Sequence, residues 1–112
     1  MHVVMFSKNL TEPEKETFEE YFKRKQGRLE KRFERHFDED TVKLNVTAEK
    51  FFNKSAFKVE MFLELPKASR KPLYASEDSH DLRKAIDFSM DKLMDQISSA
   101  IEKMNRQHER AT

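Results

Sequence analysis

Four histidines, at positions 2, 36, 80 and 108, are the side chains best suited to metal binding, and no two stand at the i, i+4 spacing that lets one helix face present both to an ion. The spacing therefore predicts no metal centre. Asp87, Asp91 and Asp95 form an i, i+4, i+8 row, which could attract a cation or act as an acid pair; a solvated helix face accounts for it more simply. Serines are plentiful, but a G-x-S-x-G nucleophile elbow needs glycines, and this chain has one Gly and no Cys in 112 residues. The same counts remove the Gly-rich phosphate cradle, the thiolate zinc site and the disulfide frame. No constellation points to catalysis, and none calls for a cofactor or a small-molecule substrate.

Ionic recognition is the chemistry that remains. Lys and Arg number 22 against 21 Asp and Glu, a formal net charge of +1, so the distribution has to carry the argument. Between residues 12 and 20, Glu12, Glu14, Glu16, Glu19 and Glu20 stand against Lys15 alone, a net −4. Between residues 21 and 36, seven bases (Lys23, Arg24, Lys25, Arg28, Lys31, Arg32, Arg35) stand against Glu30 and Glu34, a net +5. On a helix, acids near the N-terminus and bases near the C-terminus complement the macrodipole, which explains the segregation. It does not explain the angular placement. At about 100° per residue, Arg24, Arg28, Lys31 and Arg35 fall within roughly 60° of one another, opposite an apolar stripe of Phe18, Phe22, Leu29 and Phe33. An outward row with three Arg and no acid suits phosphate, because guanidinium forks match its geometry and released counterions supply affinity. Lys67, Arg70 and Lys71 add to the basic supply, as do Lys103, Arg106 and Arg110. Phe62 and Tyr74 could stack unpaired bases, but Glu60 and Glu64 beside Phe62 would repel phosphate, which favours ordinary packing.

The elements that must position these residues follow from periodicity. Residues 2–7 are short and apolar and suit a buried strand. Thr11, Pro13 and Glu14 then supply a cap, a first-turn proline and a capping box, so a long amphipathic helix is expected to about His36, with Gly27 an interior flaw. Val42, Leu44, Val46 and Ala48 alternate with polar residues, and Phe57, Val59, Met61, Leu63 and Leu65 alternate with Lys58, Glu60, Phe62 and Glu64, giving two half-buried strands either side of a turn at residues 50–54. Residues 66–72 read as a basic loop and residues 73–75 as a short edge strand after Pro72. A second helix is expected from Asp78 or Ser79 to about Gln107, with Leu82, Ile86, Leu93, Ile97, Ala100 and Met104 on one stripe. The order β-α-β-β-β-α predicts an α+β fold: a four-stranded sheet with two helices packed on one face.

At this length one domain is expected, spanning residues 1–107 with a short tail at 108–112. Ten Phe and six Met supply its core, while 38% charged residues cover its surface. The longest apolar run, residues 3–6, is far short of the roughly 20 residues that span a bilayer, and no secretory signal opens the chain. A cytoplasmic protein with no membrane partner is expected.

The sequence resembles the ribosome hibernation-promoting factor and ribosome-associated inhibitor family. The resemblance spans nearly the whole chain. It is carried by the element order, by Arg28-Leu29-Glu30-Lys31-Arg32-Phe33, and above all by Tyr74-Ala75-Ser76, Asp81-Leu82, Ala85-Ile86-Asp87, Asp91-Lys92-Leu93 and Gln96. It implies a stress-phase translation inhibitor seated in the messenger RNA and transfer RNA channel of the small ribosomal subunit. There it would act by occupancy, contacting ribosomal RNA with basic residues of both helices. On this chain those residues would be Arg28, Lys31 and Lys92, then Arg24 and Arg35 on the ridge and Arg106 near the end of the second helix. The chain ends at Thr112, as a short form without the additional C-terminal domain would. Where many members have a Gly before the second helix, this chain has Glu77, Asp78 and Ser79. Two other readings stand beside it: a protein-interaction module whose polarised surface meets a protein partner, and a general double-stranded-RNA-binding domain.

Overall fold

The computed structural model describes residues 1–65 and 71–110. The elements run β1 (His2–Lys8), α1 (Glu12–Phe33), a short 3-10 turn (Glu39–Thr41), β2 (Lys43–Phe51), β3 (Ala56–Glu64), β4 (Leu73–Ser79) and α2 (Leu82–Arg110). The strands form one sheet in the order β1-β2-β3-β4, with β1 parallel to β2 and the other neighbours antiparallel. This is the α+β arrangement that the periodicity predicts.

Each inward row is the apolar half of an alternating strand. Leu44, Val46 and Ala48 of β2, with Val59, Met61 and Leu63 of β3, are fully buried, and Ala75 of β4 joins them. Phe18, Phe22, Leu29 and Phe33 come down from α1, and Leu82, Ile86, Met90, Leu93 and Ile97 from α2, to form one core with this face. Among the described residues no layer covers the other face of the sheet. That corrects the reading of the first strand as buried: Val3 and Met5 pack on the core, whereas Val4 and Phe6 stand 47% and 58% exposed on the open face of an edge strand. On that face Phe62 and Tyr74, paired in the β3-β4 register, place their rings 4.7 Å apart, and the Tyr74 hydroxyl donates to Glu60 at 2.8 Å. This is cross-strand aromatic packing.

Several boundaries move, each for a local reason. The Thr11 hydroxyl accepts from the Glu14 N–H and the Glu14 carboxylate accepts from the Thr11 N–H, so α1 opens on the expected capping box. It closes at Phe33 rather than His36, because the N–H groups of His36 and Phe37 both donate to the Phe33 carbonyl and turn Phe37 back into the core. Arg35 therefore sits in the turn after the helix. Strand β2 runs on to Phe51, paired with Ala56, and the turn tightens to residues 52–55 with Ser55 at φ 47°. Strand β4 continues past Ala75 through Glu77, Asp78 and Ser79, held in register by Val59, Lys58 and Phe57 of β3. Helix α2 consequently begins at Leu82, where the Asp81 carboxylate accepts from the N–H groups of Arg83 and Lys84.

Candidate nucleic-acid interface

The two helices lie side by side and parallel. The Tyr21 hydroxyl donates to Asp87 at 2.7 Å, Arg28 faces Asp91 at 3.7 Å, and Arg32 donates to Ser98 at 3.3 Å, so advancing along α1 means advancing along α2. Both also run against the strands they follow. The chain leaves α1 next to the start of β2, and the Tyr74 backbone at the start of β4 exchanges hydrogen bonds with the Gln96 side chain midway along α2. The C-terminal, base-rich halves of α1 and α2 therefore emerge at one end of a molecule 54 Å long. Lys43 and Lys71, both exposed, belong to the same end. The acid-rich start of α1 lies at the other, beside the β2-β3 turn, where Lys50 reaches Glu14 at 3.0 Å.

The candidate residues fall into two groups. Arg24, Lys31 and Arg35 are exposed and make no ion pair among the described residues. Arg28 faces Asp91 with half of its own side chain exposed, and Arg106 meets Glu102 one turn earlier at 3.0 Å. Lys92 departs from the rest: it pairs with Glu77 of β4 at 2.5 Å, on the flank of α2 turned away from α1, and so does not join the ridge. Lys67 and Arg70 of the expected basic loop, and the side chain of Arg110, lie outside the described residues.

The acidic row on α2 is only partly the solvated face that its spacing suggests. Asp87 is half-buried against α1 and accepts the Tyr21 hydroxyl, which holds the Tyr21 proton and raises its pKa above the ordinary 10.0; burial adds to the rise, and Arg83 and Arg24 oppose it. Lys25 and Arg83 lie over the Tyr21 ring at 5.5 and 5.9 Å. Sequence reasoning missed this pairing, as it missed Arg32 to Ser98, because nothing in one helix's periodicity names the residues of another. Only Asp95 of the row is exposed without an ion pair among the described residues. Among those residues no group of three or more His, Asp or Glu could hold a metal ion, and no helix is long and apolar enough to cross a membrane.

The arrangement is an exposed row of cations on α1, braced by α2, whose own end carries Lys103 and Arg106. Among solved structures, the fold is similar to the N-terminal domain of Thermus thermophilus Protein Y, at 20% identity over 88% of this chain and 98% of that one, with a TM-score of 0.64. It is similar also to a ribosomal subunit interface protein from Coxiella burnetii, at 22% identity over 88% of this chain and 96% of that one, with a TM-score of 0.56. Among curated proteins no sequence matches. The sequence profile of the family described as Sigma 54 modulation protein / S30EA ribosomal protein matches residues 8–105. With nearly the whole fold inside that match, from the end of β1 to the exposed turns of α2, the chain belongs to this family.

Proposed function

We propose that this protein binds the small ribosomal subunit through ribosomal RNA phosphates and occupies the channel used by messenger RNA and transfer RNA. The observation that carries the reading is the parallel packing of α1 and α2, which gathers the basic ends of both helices at one pole of the fold. Membership of a family described as Sigma 54 modulation protein / S30EA ribosomal protein, and the likeness in fold to a ribosomal subunit interface protein, support the ribosome as the target. Inhibition would follow from occupancy: a rigid, cation-faced domain in the decoding channel excludes the RNA that belongs there. No bond is made or broken.

The test is co-sedimentation with separated subunits across a salt series. Saturable binding near one copy per small subunit, falling steeply with salt and competed by transfer RNA or messenger RNA, is the expected result. Arg28→Glu combined with Lys31→Glu should weaken it roughly 50-fold at about 0.1 M salt, since each lost phosphate contact costs close to a tenfold factor there. Both side chains are exposed, so the double variant keeps its fold. Binding that is insensitive to salt and survives nuclease treatment would reject the phosphate reading and indicate a protein partner. Equal affinity for naked RNA duplexes would indicate a general double-stranded-RNA binder.

A further inference from the structure

The sheet has two free edges, at β1 and at β4, and they are finished differently. The β4 edge opens after Pro72, the Gln96 side chain takes both the N–H and the carbonyl of Tyr74, and the acids Glu77 and Asp78 follow. Proline, charge and a covering side chain are the usual means of keeping another strand away. The β1 edge has none of these among the described residues. The His2 N–H donates to the Val42 carbonyl, so in the parallel ladder the backbone groups of His2, Val4, Phe6 and Lys8 face β2. Those of Val3, Met5 and Ser7 therefore face outward, and they have no hydrogen-bond partner among the described residues. From Val3 to Ser7 no side chain is charged, Val4 and Phe6 are exposed, and Lys8 at the end faces Glu49 at 3.9 Å. A long apolar edge of this kind is a template for a further strand.

We propose that β1 pairs antiparallel with β1 of a second copy of this chain, joining two four-stranded sheets edge to edge. The strand is complementary to itself in one register. With Met5 opposite the partner's Met5 on a two-fold axis, the outward backbone groups of Val3, Met5 and Ser7 meet those of the partner's Ser7, Met5 and Val3, each pair exchanging both of its hydrogen bonds. The same register sets Val4 against the partner's Phe6 and Phe6 against the partner's Val4 on the open face. These are the close, non-hydrogen-bonded positions, where aromatic and β-branched side chains pair well, so the exposed apolar side chains of each copy cover those of the other. Slipping by two residues sets Phe6 against His2 in one direction and Val4 against Lys8 in the other, which uncovers them again. The axis stands perpendicular to the sheet, so the helices of both copies lie on one side of it. Strands of seven residues bury roughly 1,000 Å² in total on pairing, the scale of weak contacts, so a dissociation constant on the order of 10–100 µM is expected. The proposal does not depend on RNA binding.

The experiment is sedimentation velocity of the full chain from about 5 to 500 µM, at about 0.15 and 0.5 M potassium chloride. A monomer–dimer equilibrium that persists at the higher salt is expected, because backbone pairing and apolar contact are not screened as an attraction between the acidic and basic ends of two copies would be. Met5→Pro removes an outward N–H and leaves the ladder to β2 its donors, since proline is tolerated where the N–H faces away from the sheet. Phe6→Lys puts a charge into the proposed contact at an exposed position. Each should weaken association by about tenfold or more, with thermal melts showing that the fold is retained. Phe62→Lys removes an exposed aromatic from the same open face but away from the edge, and should leave association within about two-fold. The register is read by mixing Val4→Cys chains with Phe6→Cys chains under mild oxidation. The native chain has no Cys, and the proposed pairing brings these two positions within disulfide reach, so the mixed covalent dimer should form faster than either homodimer. If Met5→Pro unfolds, Phe6→Lys and the cross-link decide alone. A wild-type chain that stays monomeric throughout overturns the proposal and leaves the edge to a strand of another protein. A dimer that survives the folded edge variants, that is lost to Phe62→Lys alone, or that the higher salt dissolves overturns it as well, and so does faster cross-linking of either homodimer.

Discussion

Two carboxylates, Glu14 and Asp87, are engaged inside the fold. Glu14 accepts the Thr11 N–H in the capping box and takes the Lys50 ammonium across from β2. The backbone hydrogen bond from Thr11 is the main cause that lowers its pKa below the ordinary 4.5; burial opposes this and Lys50 assists. A depressed carboxylate stabilises the fold above its unfolded pKa and loses that contribution as pH falls through the folded value. Glu14→Ala should therefore cost about 1 kcal/mol at neutral pH, and thermal melts of variant and wild type should draw together as pH drops below 4.5. Tyr21 has the opposite sign. Its raised pKa favours the protonated phenol, so its contribution is fully present below pH 10.0 and fades as pH rises through the higher folded value. Tyr21→Phe leaves half-buried Asp87 without its donor and should lower stability by about 1–2 kcal/mol at pH 7. That difference should shrink in strongly alkaline melts.

At the scale of the element, α1 carries its cost in plain view. Gly27 lies on the exposed side of a 22-residue helix, and a Cβ built there meets nothing within 4 Å. Its φ is not positive, so no backbone requirement calls for glycine. Gly27→Ala should raise stability by roughly 0.5–1 kcal/mol and the Tm by about 2–6 °C, checked by calorimetry. Leu29, two residues on and fully buried, marks the other side of the same helix. Leu29→Ala should cost about 2–5 kcal/mol by removing methyl groups from the packed core. The contrast between neighbours shows how sharply the stripe is defined, and why the helix was legible from its spacing. Strand β4 was not legible beyond Ala75. Glu77, Asp78 and Ser79 carry poor strand propensity, and what makes them a strand is hydrogen bonding to residues 57–59 of β3, a long-range partner that local pattern does not encode.

At the scale of the whole molecule, the acid-rich start of α1 and its base-rich second half lie toward opposite ends. Arg35 follows α1 and Arg106 lies near the end of α2, more than 70 residues apart in the chain yet at one pole. If that pole meets RNA, Arg35→Glu and Arg106→Glu should each weaken subunit binding, roughly tenfold or somewhat less for Arg106 because Glu102 already engages it. Lys54→Glu, an equal charge change in the exposed β2-β3 turn at the other pole, should leave binding within about two-fold in the same sedimentation assay. Comparable losses at both poles would mean that net charge, not placement, governs the interaction.

The chain's own periodicities determined a good deal. The two alternating central strands, the two amphipathic helices, the Thr11 capping box, the basic ridge and the absence of glycine- and cysteine-based sites all follow from residue types at local spacing, because burying one face of each element leaves only that pattern. The tertiary structure decided the rest. It turned the open side of β1 to solvent, since sheet order is a matter of which strands pair. It set Asp87 and Asp91 against Tyr21 and Arg28, paired Lys92 with Glu77, and brought the ends of α1 and α2 to one pole. Each of these depends on how one element lies against another, and that is a property of packing between residues distant in sequence.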